Sequence, residues 1–299
     1  MHQTMLFFTR KGRCYWLKCY EIPEGDKNFK GRAIQNMLNI EADDSVNALL
    51  RLRGLNDEEF VNSHYVVFAT KNGTVKKTCL EAYSRPRTNG VNAINIAEGD
   101  EVVDVRLTNG KNEIILANRN GRAVRFDENA VRAMGRVSTG VRGMQLDGDD
   151  DQVIGMIIVN NAETENVMVV SENGYGKRSQ VEEYRKTNRG AKGVKTFSIT
   201  EKTGRLVAIK NVTDDNDLMI INKSGIAIRL AVSDCRVMGR ATQGVRLINL
   251  SKKNDVIASV CKVMSSEVEA KLADEQTATA DEQTAPHATD KAEQTTEQK

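Results

Sequence analysis

The chain has 299 residues, 43 Lys and Arg against 41 Asp and Glu, and 39% hydrophobic residues, enough for one large domain or two ordinary ones. No stretch approaches the roughly 18 apolar residues of a membrane helix, and the first residues lack a charged-then-apolar leader, so the sequence reads as a soluble, cytoplasmic protein without membrane contact. Five cysteines (Cys14, Cys19, Cys79, Cys235, Cys261) without a C-x-x-C, and three isolated histidines (His2, His64, His287), exclude a disulfide framework and a zinc site and predict reduced, buried thiols.

Along the chain, one pattern returns five times: an apolar run, a turn ending in glycine, and a strand ending in a basic residue. It stands at MLFFTRKGRCYWLK from Met5, YVVFATKNGTVKK from Tyr65, EIILANRNGRAVR from Glu113, NVMVVSENGYGKR from Asn166 and DLMIINKSGIAIR from Asp217. The turn glycines Gly12, Gly73, Gly121, Gly174 and Gly225 lie 61, 48, 53 and 51 residues apart. The pairs Asn72-Gly73, Asn120-Gly121 and Asn173-Gly174 predict type I′ hairpins. A second glycine set, Gly31, Gly90, Gly140, Gly193 and Gly244, keeps the same beat. From the second repeat on it is followed by valine and a period-two alternation such as Lys195/Phe197/Ile199, which predicts another strand. An acidic or polar turn (AEGDE, DGDDD, SKKND) and a further β-rich run complete a unit of about four strands, giving repeats near 5–52, 65–107, 113–159, 166–212 and 217–263. Such units cannot bury both faces alone, so the expected fold is all-β, a propeller-like disc of about five four-stranded blades. A WD-type propeller is disfavoured, since Trp16 is the single tryptophan. Beyond residue 264, nine acidic residues against three lysines give −6, leaving +8 for residues 1–264 of a total of +2. Residues 265–299 are expected to be an acidic, disordered tail, too poor in apolar residues to repay ordering.

Between the second and third strands of each repeat lies a basic loop. Aligned on the repeat glycines it holds Arg132 and Arg136 before Gly140, Arg185 and Arg189 before Gly193, and Arg236 and Arg240 before Gly244. The second repeat has Arg85 and Arg87 before Gly90, and the first has Lys27, Lys30 and Arg32 around Gly31. A phosphate-binding G-x-x-x-x-G-K-[ST] loop has no match. A solvated turn accounts for one such loop but not for arginine at a fixed repeat position, where folding is not expected to require it. A polyanion running past successive blades does ask for a cationic loop on each, and duplex DNA supplies evenly spaced phosphates. Aromatic residues do not interleave these loops, which disfavours single-strand stacking. The candidate DNA-binding residues are Arg32, Arg85, Arg87, Arg132, Arg136, Arg142, Arg185, Arg189, Lys192, Lys195, Arg236, Arg240 and Arg246, with no catalytic or metal-ligating residue expected. A protein-interaction propeller scaffold is the alternative from a different class.

The stretches MLFFTRKGRCYWLKCYEIPEG, KGRAIQNML, FATKNGTVKKT, VRFDENAVRAMGRVSTGVRGM, SENGYGKRS and CRVMGRATQGVRLI resemble the C-terminal domain of the bacterial DNA gyrase A subunit, over residues 1 to about 264. The resemblance implies a six-bladed β-pinwheel whose neighbouring blades exchange strands and whose basic rim wraps double-stranded DNA. The implied partners are the gyrase B subunit, with the remainder of the gyrase A subunit, in an A2B2 enzyme that introduces negative supercoils. ATP and magnesium would be used by other parts of that enzyme, with no cofactor in this chain. The family's box, Q-R-R-G-G-K-G, matches Thr187-Asn188-Arg189-Gly190-Ala191-Lys192-Gly193 at four of seven positions. That degenerate copy, and five repeats against six, imply a first blade before Met1. The DNA-cleaving tyrosine belongs to another portion of the enzyme, so none of Tyr15, Tyr20, Tyr65, Tyr83, Tyr175 or Tyr184 is expected to take that role. The C-terminal domain of the topoisomerase IV A subunit is the sibling alternative.

Overall fold

A computed structural model of the chain describes residues 3–25, 30–52, 54–250 and 255–265. The first repeat supplies β1 (Thr4–Thr9), β2 (Arg13–Lys18) and β3 (Val46–Leu52). The second supplies β4 (Tyr65–Thr70), β5 (Thr74–Cys79), β6 (Val91–Asn92) and β7 (Val102–Thr108), and the third β8 (Glu113–Asn118), β9 (Arg122–Asp127), β10 (Val141–Arg142) and β11 (Val153–Val159). The fourth gives β12 (Asn166–Ser171), β13 (Tyr175–Gln180), β14 (Val194–Lys195) and β15 (Leu206–Val212). The fifth gives β16 (Asn216–Asn222), β17 (Ala227–Ala231), β18 (Val245–Arg246) and β19 (Ile257–Met264).

The short third strand of each repeat leaves its own blade. The sheets run β3-β1-β2-β6, β10-β5-β4-β7, β11-β8-β9-β14 and β15-β12-β13-β18, with a last sheet β17-β16-β19. Each exchanged strand therefore forms the outer edge of the preceding blade, and among the described residues the fifth blade has three strands rather than four. The opposite edges, β3, β7, β11, β15 and β19, line an axial cavity of about 460 Å³. Adjacent blades bury a continuous core between them. Val66 and Phe68 face Leu6 and Phe8 of the first blade, while Val67 and Ala69 face Ile114 and Leu116 of the third. A central strand such as β4, buried on both faces, thus reads as an unbroken apolar run.

Two glycines per repeat make the exchange possible. Gly73 closes its hairpin by donating to the Thr70 carbonyl at 3.0 Å and has φ 86. This places the glycine fourth in a turn wider than the expected two-residue type I′, with Ala69 and Val75 the last paired residues. Its carbonyl then accepts both Gly143 N–H (2.8 Å) and Met144 N–H (3.1 Å) from the exchanged segment. A Cβ on Gly73 would stand 2.7 Å from the Met144 oxygen, and one on Gly140 would stand 2.6 Å from that of Val75. Only glycine combines positive φ with such an approach. The same double acceptance recurs at Gly12, Gly121 and Gly174. Gly31 departs from the expected beat: nothing lies within 4 Å of its Cβ position, and Leu38 and Ile40 after it fold back onto Phe7, Tyr15 and Leu17 of their own blade.

The acidic turns are hairpin staples. Asp44, Asp100 and Asp151 accept, at 3.1, 2.9 and 3.2 Å, the third turn-residue N–H of Lys11, Asn72 and Asn120. In the fourth repeat the Thr203 carbonyl takes that place for Asn173. A carboxylate reached from the next loop pairs these turn donors while fixing the hairpin to the innermost strand.

Candidate nucleic-acid interface

The basic loops lie over the outer half of the ring, and two kinds of side-chain tether hold them there. The first is the residue four after the turn glycine. Trp16 Nε1 donates to the Tyr83 carbonyl at 2.9 Å, Arg125 Nη1 to Val181 and Tyr184 carbonyls at 2.9 and 3.0 Å, and Arg178 Nε to the Cys235 carbonyl. At that position Lys77 instead forms a buried 2.9 Å ion pair with Glu128, which also accepts from Thr108 Oγ1 and Asn112 N–H. Of the strand-end cations conspicuous in the sequence, Lys77, Arg125 and Arg178 are thus inward clamps, while Arg229 pairs with Asp217 of its own blade.

The second is the arginine four before the exchange glycine. Arg189 Nε donates to the Ala130 carbonyl (2.9 Å) and Nη1 to that of Arg142 (3.1 Å). Arg240 repeats this one blade on, with Nε to Glu183 O at 3.0 Å and Nη1 to Lys195 O at 2.6 Å. Each loop is also stitched to its predecessor by the backbone: Asn95, Gln145 and Ser198 N–H donate to Ser138, Ala191 and Thr242 carbonyls. This corrects the expectation that folding has no use for arginine at the repeat position. Two of the five guanidinium donors tie neighbouring loops together, and neutral carbonyls leave the charge intact.

Charge is segregated accordingly. Several cations near the hairpin turns are paired: Lys11 with Asp43 at 2.5 Å, Arg205 with Asp150 at 2.5 Å, and Arg10 and Lys71 with Glu101 at 3.7 Å. Among the described residues, Arg32, Arg85, Arg87, Arg132, Arg136, Arg142, Arg185, Arg189, Lys195, Arg236, Arg240 and Arg246 pair with no carboxylate. Lys192 differs, holding Asp147 at 2.8 Å and depressing that carboxyl's pKa through the hydrogen bond. Arg132, Arg185 and Arg236 are exposed, whereas the tethering Arg189 and Arg240, and Arg136 at the same repeat position, are half-buried. Arg142, Lys195 and Arg246 stand on the outer edge strands; Arg246 lies over the Tyr175 ring at 5.5 Å and donates to its hydroxyl. Arg32 and Arg87 line one surface groove with Trp16 and Lys18.

Sequence reasoning missed Arg13 and Arg122, the residues after the turn glycines, which reach the same outer edge; Arg122 pairs in register with Lys195 and Arg13 Nη2 bonds the Asn89 carbonyl at 2.7 Å. Lys27 and the acidic tail beyond Ser265 lie outside the described residues. Of the tyrosines, Tyr15, Tyr83, Tyr175 and Tyr184 are buried in the blades and Tyr20 is 66% exposed. Burial pushes the Tyr184 phenol up to about 12. Only Cys14 and Cys235 are buried thiols; Cys19 and Cys79 are half-buried and Cys261 exposed, contrary to expectation. Among the described residues no three His, Cys, Asp or Glu side chains could hold a metal ion, and no helix is long and apolar enough to cross a membrane.

A family model described as the DNA gyrase C-terminal domain, a β-propeller, matches residues 3–53, 64–109, 112–160, 165–213 and 216–261. The DNA gyrase A subunit of Staphylococcus aureus (strain NCTC 8325 / PS 47) is 42% identical over 275 residues, covering 92% of this chain and 30% of that protein. The chain thus spans under a third of that relative's length. Among solved structures, the C-terminal domain of DNA topoisomerase IV superposes with a TM-score of 0.80 at 27% identity, covering 95% of this chain and 85% of that one. A DNA gyrase A C-terminal domain gives 0.75 at 23% identity, covering 88% and 83%, a likeness of fold. With a match in every blade, the chain belongs to the DNA gyrase C-terminal domain family of β-propellers.

Proposed function

We propose that the chain binds duplex DNA along its outer rim and bends it around the disc, as the wrapping part of a gyrase A subunit. The observation that carries this is the row of arginines, repeated blade by blade at the exchanged strands, that no carboxylate neutralises, while Arg10, Lys11, Lys71 and Arg205 near the hairpin turns are paired. Smooth bending of a 20–30 bp duplex through 40–90° costs about 1–6 kcal/mol, which phosphate contacts from two or three blades offset. The wrapped segment would be delivered to gyrase B and the rest of gyrase A, in an A2B2 enzyme of the cytoplasm, at the nucleoid. ATP and magnesium would act in those other parts, and this chain would do no covalent chemistry. The test is binding of random-sequence duplex by fluorescence anisotropy across a salt series. A steep, sequence-tolerant fall of log K with log salt is expected, and salt-independent binding or none would refute the reading.

The TM-score of 0.80 with the topoisomerase IV domain favours a second reading, in which the same DNA-binding rim belongs to the C-terminal domain of a topoisomerase IV A subunit. Supercoiling of relaxed plasmid by the reconstituted enzyme separates the two. Negative supercoiling supports gyrase, and relaxation alone supports topoisomerase IV.

A further inference from the structure

Two lysines are buried directly beneath the rim loops, and neither has a carboxylate of its own. Lys76, wholly inaccessible in the middle of β5, donates through Nζ to the carbonyls of Ala93 and, at 2.6 Å, of Arg136. Lys177, at the matching position of β13 and 1% exposed, donates to the Gly239 carbonyl at 2.6 Å. Both amines hold from below the loops that carry Arg136 and Arg240. The corresponding residues in the other blades are Tyr15, Val124 and Ile228, so a buried lysine is not demanded by the blade. The neighbouring Lys77 shows the usual solution, a partner carboxylate in Glu128.

The charges around each amine are those of the rim. Lys76 faces Arg136 from the loop above and shares the Ala93 carbonyl with the hydroxyl of Tyr83, from the turn that follows β5, with Cys14 of β2 close to that tyrosine; burial first and then the Arg136 charge bring its pKa down to about 7. Lys177 faces Glu183, Arg240, Lys195 and Tyr184; burial is the main cause of its fall to about 8, Arg240 and Lys195 add to it, and Glu183 opposes them. Beyond burial, the side chains that disfavour a proton on these amines, Arg136, Arg240 and Lys195, are ones that would meet phosphate.

We propose that binding of duplex DNA to the rim is coupled to proton uptake by Lys76 and Lys177, because phosphates that neutralise Arg136, Arg240 and Lys195 remove positive charge facing these two buried amines, which have no carboxylate partner. Once charged, each ammonium strengthens its hydrogen bond to the loop carbonyl and fixes the loop against the blade. This rests on the DNA-binding reading above. Because the complex holds more protons than its components, affinity falls as pH rises through the range in which the amines titrate.

The experiment is calorimetric titration of the chain with random-sequence duplex of about 30 bp, near neutral pH, in two buffers of different ionisation enthalpy. Expected are heats that differ between buffers by an uptake of several tenths of a proton, and an affinity that falls about threefold per pH unit just above neutrality. The K76M/K177M double variant should bind with buffer-independent heat. Should that variant not fold, 13C-labelled lysine ε-carbons in the wild-type chain give the same answer: their titration midpoints should move upward when duplex is added. Buffer-independent heat in the wild type, undiminished uptake in the variant, or midpoints unmoved by DNA would overturn the coupling. Failure to bind at any pH would instead overturn the DNA-binding reading itself.

Discussion

Replacing Arg132, Arg185 and Arg236 together by alanine separates charge from architecture. These side chains are exposed and make no hydrogen bond or ion pair among the described residues, so the triple variant should keep its stability within about 0.5 kcal/mol per site. If each guanidinium meets one phosphate, removing three lowers the slope of log K against log salt by about 2.7, at roughly 0.9 per contact. Between 50 and 200 mM salt the wild-type chain should then lose about forty-fold more affinity than the variant. Anisotropy of a labelled random duplex measures the slope, and chemical denaturation checks the fold. An unchanged slope in a folded triple variant would refute the assignment of these loops to DNA.

Arg189→Ala should cost about 1–3 kcal/mol of stability in addition to affinity, since its guanidinium bridges the Ala130 and Arg142 carbonyls; urea midpoints equal to those of Arg185→Ala would contradict the tether. Gly73→Ala combines a positive φ with a Cβ 2.7 Å from the Met144 oxygen and should be far more damaging than Gly225→Ala, which has the same φ problem at φ 84 but open space around it. Equal thermal shifts in the two would argue against strand exchange. Glu128→Gln leaves the buried Lys77 charge unpaired and should cost about 3–5 kcal/mol, most of it recovered by adding Lys77→Met, as a double-mutant cycle would show. Lys76 is held near 7 when folded against 10.5 ordinarily. The unfolded chain therefore binds more protons between those values, and the lysine's destabilising effect is full below pH 7 and fades as pH rises. The stability gained by Lys76→Met relative to wild type should accordingly shrink from pH 7 to 10, and a pH-independent difference would refute the depressed amine.

The repeat was legible in the sequence because the first four blades make the same two backbone demands, a positive φ at the turn and a close approach by the neighbour's edge strand, and only glycine meets both. What the pattern could not convey is ownership of the third strand: Val141 and Arg142 would alternate identically whether paired to their own blade or to Thr74 and Val75 of the preceding one. The same blindness made Gly31 read as a member of the series, although its segment packs on its own blade. The arginines were found for a reason only half right. Their recurrence marked a shared function, but part of it is the fold's own, since Arg189 and Arg240 bind the previous loop. Trp16 escaped notice because its indole N–H, unlike an arginine, gives no charge signal for the clamp it shares with Arg125 and Arg178. The buried lysines escaped because Lys76-Lys77 and Lys177-Arg178 read in the sequence as solvent-facing charge, whereas all four side chains are buried.

The central claim, that the rim bends duplex around the disc rather than merely holding it, is tested most directly by linking number. Nicked plasmid is resealed with ligase in the presence of increasing amounts of the chain, and its topoisomers are resolved after the protein is removed. A progressive shift in linking number of one sign, abolished in the Arg132/Arg185/Arg236 alanine variant, is the predicted result; saturating binding with an unshifted topoisomer distribution would contradict it.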